Sequence, residues 1–272
     1  MAGPGHRAKR SLSQNFLVDP NLQRKIVKSL KPLATDRVIE IGPGTGALTR
    51  HLVDRVAELQ MIELDDRLAA QLGEEFRDRD DVVVLHADAL EIAIDELTDG
   101  EPYKVIGNLP YGITTPIIFH ILDQRPRPQV MVLTVQKEVA ERLAARPGTK
   151  DFGALTVGVQ AVARLELLFT ISRQAFRPRP EVDSAVVRIE PISPPPLSLP
   201  QEESFRRLTR AAFSRRRKQL QRVLRQAPEY ALSAEEAAGL LRSLDIDPAT
   251  RPDALPVSDY IRLAAALEGR VT

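Results

Sequence analysis

Short apolar runs recur along the first half of the chain, at about 37–42, 59–63, 82–86, 103–108 and 130–136, and the stretches between them space their apolar positions helically. Continuous apolar runs of this length mark strands buried on both faces. Their alternation with helices predicts a parallel sheet covered by helices on both sides. Pro20–Leu30 precedes the first of these five strands and reads as a helix, with Asp19 as its N-cap and Pro20 at its first position. Past the fifth run, Ala140–Ala145 and Gly153–Ala163 read as further helices. Leu165–Ile171 and Val182–Ile189 read as strands joined by a Pro-rich loop too short for a parallel crossover, which predicts an antiparallel hairpin at one sheet edge.

The pattern changes at Pro191. Pro191–Pro200 (Pro-Ile-Ser-Pro-Pro-Pro-Leu-Ser-Leu-Pro) cannot form a helix and reads as a stiff linker. Beyond it Ser204–Arg225 carries an apolar stripe at helical spacing, in one helix or two. Ser233-x-x-Glu236 is a capping box opening Glu235–Leu244, and Ser258–Leu267 is a last helix. The expected organisation is an α/β domain over residues 1–190, a linker over 191–200 and a small all-helical domain over 201–272. No internal repeat is visible.

Composition narrows the chemistry. At 272 residues and 43% hydrophobic content the chain buries a full core, enough for one large and one small domain. The absence of cysteine excludes disulfides, thiolate zinc sites and cysteine nucleophiles. His6, His51, His86 and His120 share no metal-ligand spacing, so no metal is expected. No apolar run approaches the roughly 18 residues of a membrane span and the N-terminus lacks a signal-peptide core, so a soluble, cytoplasmic protein is expected. A monomer is expected as well.

Net charge is only +1, but it is unevenly spread. Ser204–Pro228 holds nine basic residues and no acid. A cationic face without compensating acids suits a phosphate backbone, which makes Arg215, Arg216, Arg217 and Lys218, fanning around a helix, the candidate phosphate-binding residues. A merely solvated face is the alternative. His6-Arg7-Ala8-Lys9-Arg10 adds a basic arm at the N-terminus.

Two motifs carry chemistry. Glu40-Ile41-Gly42-Pro43-Gly44-Thr45-Gly46 follows the first sheet strand and precedes a helical pattern, bringing backbone close to a ligand at a helix N-terminus. Its glycine spacing is not that of the G-x-G-x-x-G dinucleotide fingerprint, and it lacks the Gly-Lys-Ser/Thr of a phosphate-binding loop. About 20 residues on, Glu63 ends the next strand, where an acid accepts both hydroxyls of a ribose. Asp88 follows the third strand and is placed to accept from an adenine amino group. A glycine turn, two acids and no phosphate grip suit S-adenosylmethionine better than NAD.

The second motif, Asn108-Leu109-Pro110-Tyr111, follows Val105-Ile106-Gly107. An ordinary strand-to-helix turn also uses Asn and Pro. The combination nevertheless suits an amino-bearing planar base: the Asn108 side-chain oxygen and the Leu109 carbonyl accept from an exocyclic –NH2, Pro110 stiffens the backbone, and Tyr111 offers a stacking face.

These residues, with Gln14-Asn15-Phe16-Leu17, Gln136-Lys137-Glu138 and Phe176-x-Pro-x-Pro-x-Val182-Asp183-Ser184-Ala185, occur in the order found in the rRNA adenine N6-dimethyltransferases. The resemblance covers about residues 7–265. It implies a Rossmann-like S-adenosylmethionine methyltransferase sheet with a helical C-terminal domain. Within the family the linker, the helical tail and Phe213-Ser214-Arg215-Arg216-Arg217-Lys218 are most similar to the bacterial small-subunit branch, which dimethylates two adjacent adenines near the 3′ end of 16S rRNA. The runner-up is the large-subunit branch of macrolide resistance; a non-catalytic ribosome-assembly or transcription factor on the same fold is the rival from another class. The implied cofactor contacts are Asn15, Leu17, Gly42, Glu63, Asp88 and Asn108. The implied catalytic set is Asn108, Leu109, Pro110, Tyr111 and Phe176, with Phe176 stacking on the target base. The implied partner is 16S rRNA in the small subunit or its precursor, and the implied wider role is in small-subunit biogenesis. Gly112, Phe152 and Arg179 depart from the residues common in the family.

Overall fold

A computed structural model describes residues 14–268. The chain divides into two compact units. The first comprises residues up to Ala140 together with Leu165–Pro191, and the second comprises Glu141–Arg164 together with the residues from Ile192 onward.

The first unit opens with β1 (Phe16–Leu17) and α1 (Pro20–Leu30). Asp19 caps α1, its carboxylate accepting from the N–H groups of Asn21 at 2.8 Å and Leu22 at 3.3 Å. Then follow β2 (Arg37–Ile41), α2 (Thr49–Leu52), β3 (Glu58–Glu63), α3 (Asp66–Glu75), β4 (Val82–His86), α4 (Ile94–Thr98), β5 (Tyr103–Asn108), α5 (Thr114–Asp123), β6 (Val130–Gln136) and α6 (Lys137–Leu143). After α7 (Ala154–Gln160) come β7 (Ala163–Ile171), β8 (Phe176–Arg177) and β9 (Ser184–Pro191).

Seven strands form one sheet in the order β4-β3-β2-β5-β6-β9-β7. The five strands predicted from the apolar runs are parallel, and β9 runs antiparallel to β6. β9 lies between β6 and β7, so the two strands joined by the Pro-rich loop are neighbours at one edge. That loop also holds β8, which pairs with β1 in a separate two-stranded ribbon. The chain winds outward from β2 to β4 and then returns to add β5 on the other side of β2. This reversal opens a crevice at the C-terminal ends of β2 and β5, the usual ligand position in such sheets. Close approach of the two strands there depends on Gly107, where a Cβ would stand 2.7 Å from the Ile41 carbonyl oxygen.

In the second unit, residues 141–164 cluster with the C-terminal helices and not, as the sequence reading had them, with the sheet domain. The reason is aromatic. Phe152 is fully buried, with its ring 6.4 Å from that of Phe213, which in turn stacks on Tyr260 at 6.0 Å. The helices here are α8 (Leu199–Ser214), α9 (Leu220–Gln226), α10 (Ala234–Ser243) and α11 (Val257–Ala266). The linker expected to be non-helical through Pro200 ends earlier. α8 starts at Leu199, because a proline in a first turn forfeits no intrahelical bond. The Gln201 side chain accepts from the Ser198 N–H at 3.0 Å and closes that end. The capping box at Ser233 and Glu236 forms in both directions, at 3.2 and 2.8 Å.

Candidate active site

A cavity of about 260 Å3 lies at the switch point, within the first unit. Every residue expected to hold the cofactor borders it: Asn15, Leu17, Gly42, Glu63, Asp88 and Asn108. So do Leu109, Pro110 and Tyr111. Its charge is one-sided. Glu40, Glu63 and Asp88 line it, and no Lys, Arg or His is among the described lining residues. Such a cavity disfavours phosphate and favours a ligand with hydroxyl and amino groups and a positive charge.

The glycine turn is held by Glu63. Its two carboxylate oxygens accept from the N–H of Gly44 at 2.9 Å and of Asp65 at 2.8 Å. Burial pushes the Glu63 carboxyl above its usual range, and these backbone N–H groups oppose the shift. Gly42, at φ 64°, turns the chain in the left-handed region, and its N–H reaches the Ile62 carbonyl at 2.9 Å. The helix expected directly after the turn starts only at Thr49 and lasts four residues. Backbone turns between Pro43 and Leu48, and not a long helix N-terminus, therefore face the cavity. Asp88 accepts from the Leu90 N–H at 2.9 Å, which fixes its carboxylate beside the crevice.

At the end of β5, the Asn108 side-chain N–H donates to the Asn15 carbonyl at 2.9 Å. This leaves Oδ1 of Asn108 as the acceptor. The Leu109 N–H bonds the Thr134 carbonyl at 3.1 Å, and Pro110 holds φ at −58°. The Tyr111 hydroxyl is 2.8 Å from Ser184 Oγ, and burial raises its pKa. The ring is thus fixed at the cavity wall from a strand distant in sequence.

Phe176 does not join this group. It is 1% exposed, sits in the hydrophobic core with Leu17 and Ile171, and pairs across the ribbon with Leu17. The family resemblance implied a base-stacking aromatic. The short β1–β8 pairing turns it inward instead.

The sequence matches the family model for ribosomal RNA adenine dimethylase over residues 5–268. It is 41% identical to a protein of Geobacter metallireducens named ribosomal RNA small subunit methyltransferase A, over 98% of each chain. A protein of the same name from Geobacillus thermodenitrificans is 40% identical over 98% of this chain and 93% of its own. The chain belongs to the ribosomal RNA adenine dimethylase family. Among solved structures, a dimethyladenosine transferase from Plasmodium falciparum superposes with a TM-score of 0.82 at 25% identity, covering 94% of this chain and 98% of that one. The 23S rRNA methyltransferase ErmE gives 0.70 at 26%, covering 93% and 99%.

The basic run of this dimethylase differs from its sequence reading in two ways. Arg215, Arg216, Arg217 and Lys218 occupy the turn between α8 and α9 and do not fan around a helix. Nor is the run uncompensated: Arg206 pairs with Glu202, Arg207 with Glu203 and Arg216 with Asp253, acids outside the counted stretch. Arg216 also donates to the carbonyls of Thr149 at 3.2 Å and Lys150 at 2.7 Å, and Arg215 to that of Gln226 at 3.2 Å. Arg217 and Lys218 are exposed, as are Arg210, Arg222 and Arg225. The His6–Arg10 arm lies outside the described residues.

Two contributors escaped the sequence reading. Ser184, in the Val182-Asp183-Ser184 motif, anchors Tyr111 through a contact between β9 and the turn after β5, far apart in the chain. Glu40 had a visible signal, a carboxylate within an otherwise apolar strand, but was read only as part of the glycine motif.

Proposed function

We propose that the protein transfers methyl groups from S-adenosylmethionine to the N6 atoms of two adjacent adenines near the 3′ end of 16S rRNA, in the small subunit or its precursor. The acidic cavity meeting an oriented Asn108 carries this reading. The residues fit the cofactor: Glu63 would take the ribose hydroxyls, Asp88 the adenine amino group, Gly42 the methionine end, and Asn15 and Leu17 would close over it. Bound there, the cofactor supplies a methyl group on a positively charged sulfur, which departs as a neutral thioether when the methyl forms a bond to nitrogen.

The protein's task is orientation. The lone pair of an adenine amino group is delocalised into its ring, so the nitrogen is a poor nucleophile. Asn108 Oδ1 and the Leu109 carbonyl accept its two hydrogens and favour a pyramidal nitrogen whose lone pair faces the cavity. Tyr111 packs against the base, which must leave its stack to reach this depth. The methylated nitrogen sheds its proton to solvent, and no dedicated base is required. Arg217 and Lys218, the exposed cations of the α8–α9 turn, are the proposed RNA contacts there.

The relatives' names and near-complete coverage support the small subunit as the substrate. Incubating the protein with unmethylated 30S and 50S particles and labelled cofactor tests this: label should enter two neighbouring adenines of the 30S RNA. Label confined to 50S particles would move the protein to the large-subunit branch. No label in either, despite particle binding, would favour a scaffold.

A further inference from the structure

Arg50 is the second residue of α2, and its guanidinium reaches back onto the glycine turn. Nη1 donates to the Thr45 carbonyl at 2.7 Å and to that of Gly46 at 3.2 Å. Nε and Nη2 donate to the two carboxylate oxygens of Glu75, the last residue of α3, at 2.7 and 2.6 Å. One guanidinium thus bridges the turn after β2 and the helix after β3. Gly46 makes room for it: at φ 77°, a Cβ there would stand 3.1 Å from Nη1 of Arg50.

Stability does not account for this bridge. The Arg50 and Glu75 side chains are 47% and 33% exposed, and an ion pair so open to water adds little to the folded state. What the pair does fix is the turn. Thr45 borders the cavity, whereas Arg50 and Glu75 do not, so the two carbonyls are drawn towards a group outside it. A trans peptide opposes its C=O and N–H. Tying down the Gly46 carbonyl therefore turns the Ala47 N–H away from Arg50, and Ala47 also borders the cavity.

Charge gives the bridge a purpose. The methionine end of S-adenosylmethionine carries a carboxylate, which would enter a cavity lined by Glu40, Glu63 and Asp88 and by no described cation. Turn carbonyls free to swing inward would add to that repulsion. We infer that Arg50, anchored by Glu75, is a positioning residue for the methionine end of the cofactor. It holds the Thr45 and Gly46 carbonyls out of the cavity and sets its own positive charge directly behind the turn. The role rests on the cofactor assignment above. It complements Glu63, which holds the Gly44 N–H, by fixing the carbonyls of the same turn.

Calorimetry on the whole chain tests this with three ligands: S-adenosylmethionine, S-adenosylhomocysteine, which keeps the carboxylate, and 5′-methylthioadenosine, which lacks it. Arg50→Ala should bind the first two about tenfold more weakly, the scale of one lost charge-assisted anchor, and 5′-methylthioadenosine within about twofold of wild type. Glu75→Ala, which leaves the guanidinium in place but unanchored, should lose affinity for the same two ligands by less. Arg50→Lys should fall between wild type and Arg50→Ala, because a point-like ammonium cannot reproduce the forked bridge. With cofactor saturating, single-turnover transfer to 30S particles should stay near wild type in all three variants. Unchanged affinities in Arg50→Ala, an equal loss for 5′-methylthioadenosine, or no loss in Glu75→Ala would overturn the role. Failure of wild type to bind any of the three ligands would instead reject the cofactor assignment.

Discussion

Asn108 donates its side-chain amide hydrogen to the main-chain carbonyl of Asn15, 93 positions earlier in the chain, at 2.9 Å. One link between the N-terminal strap and the sheet thereby decides which atom of Asn108 is offered to a substrate. With the nitrogen committed, the oxygen is the acceptor, as an incoming amino group requires.

Replacing Asn108 with alanine should therefore cost methyl transfer far more than binding. Single-turnover transfer to unmethylated 30S particles is expected to fall about a hundredfold or more, as when an oriented polar partner is lost from a reacting centre. Particle affinity should stay close to wild type, and cofactor affinity should fall much less than the transfer rate. An unchanged single-turnover rate would remove the acceptor role.

Glu63 holds the turn at Gly44 and Asp65, and in the proposed function it also meets the ribose. Glu63→Ala should weaken S-adenosylmethionine by roughly 1–3 kcal/mol, the range for charge-assisted hydrogen bonds to hydroxyls. Calorimetry with adenosine as a second ligand reports on the ribose contact itself. Equal affinity for both ligands in the two proteins would place the ribose elsewhere.

Glu40 makes stability depend on pH in a defined direction. Its folded pKa, about 7, lies above the ordinary 4.5, so the folded state binds the proton more tightly. Its favourable contribution is complete below about pH 4.5 and is lost as pH rises through 7. Glu40→Gln should thus be more stable than wild type at pH 8, by up to roughly 3 kcal/mol. The gap should narrow steadily towards pH 5. Urea unfolding of both proteins across this range would expose a constant difference, which would mean that the buried carboxyl does not titrate.

Phe176 separates core from site. Phe176→Ala should cost roughly 3–5 kcal/mol of stability, the usual range for emptying an aromatic core position. Phe176→Leu, which refills most of that space, should recover much of the stability and keep methyl transfer near wild type. A stable Leu variant that cannot methylate would return Phe176 to the base.

What the sequence disclosed and what it hid follow from the range of the interactions. Strands 37–41 to 130–136 were readable because a parallel sheet buried on both faces writes continuous apolar runs. The residues that gather at the cavity were readable because the glycine turn, Glu63 and Asp88 each lie at or just past a strand end, and the fold gathers strand ends at one crevice. Phe176 was misplaced because its burial is set by pairing with Leu17, a contact that leaves no local periodicity. Residues 141–164 were misassigned for the same reason, since Phe152 finds Phe213 only in three dimensions. Arg216 looked like its neighbours until Asp253 and two carbonyls proved to hold it.

That last distinction makes the basic turn testable. Arg217 and Lys218 are exposed, whereas Arg216 is engaged by partners of its own unit. Arg217→Gln with Lys218→Gln should weaken 30S binding and flatten the plot of log affinity against log salt. Each lost phosphate contact removes about 0.7–0.9 from the slope, because one fewer counterion is released. Arg216→Gln should leave the slope unchanged and lower the unfolding free energy by about 1 kcal/mol, through carbonyls deprived of their donor. Cofactor affinity should not move in either variant, since no residue of this turn lines the cavity. Parallel salt lines for the double variant and wild type would make the turn an ordinary solvated surface. The RNA footprint would then pass to other exposed cations of α8 and α9, among them Arg210, Arg222 and Arg225.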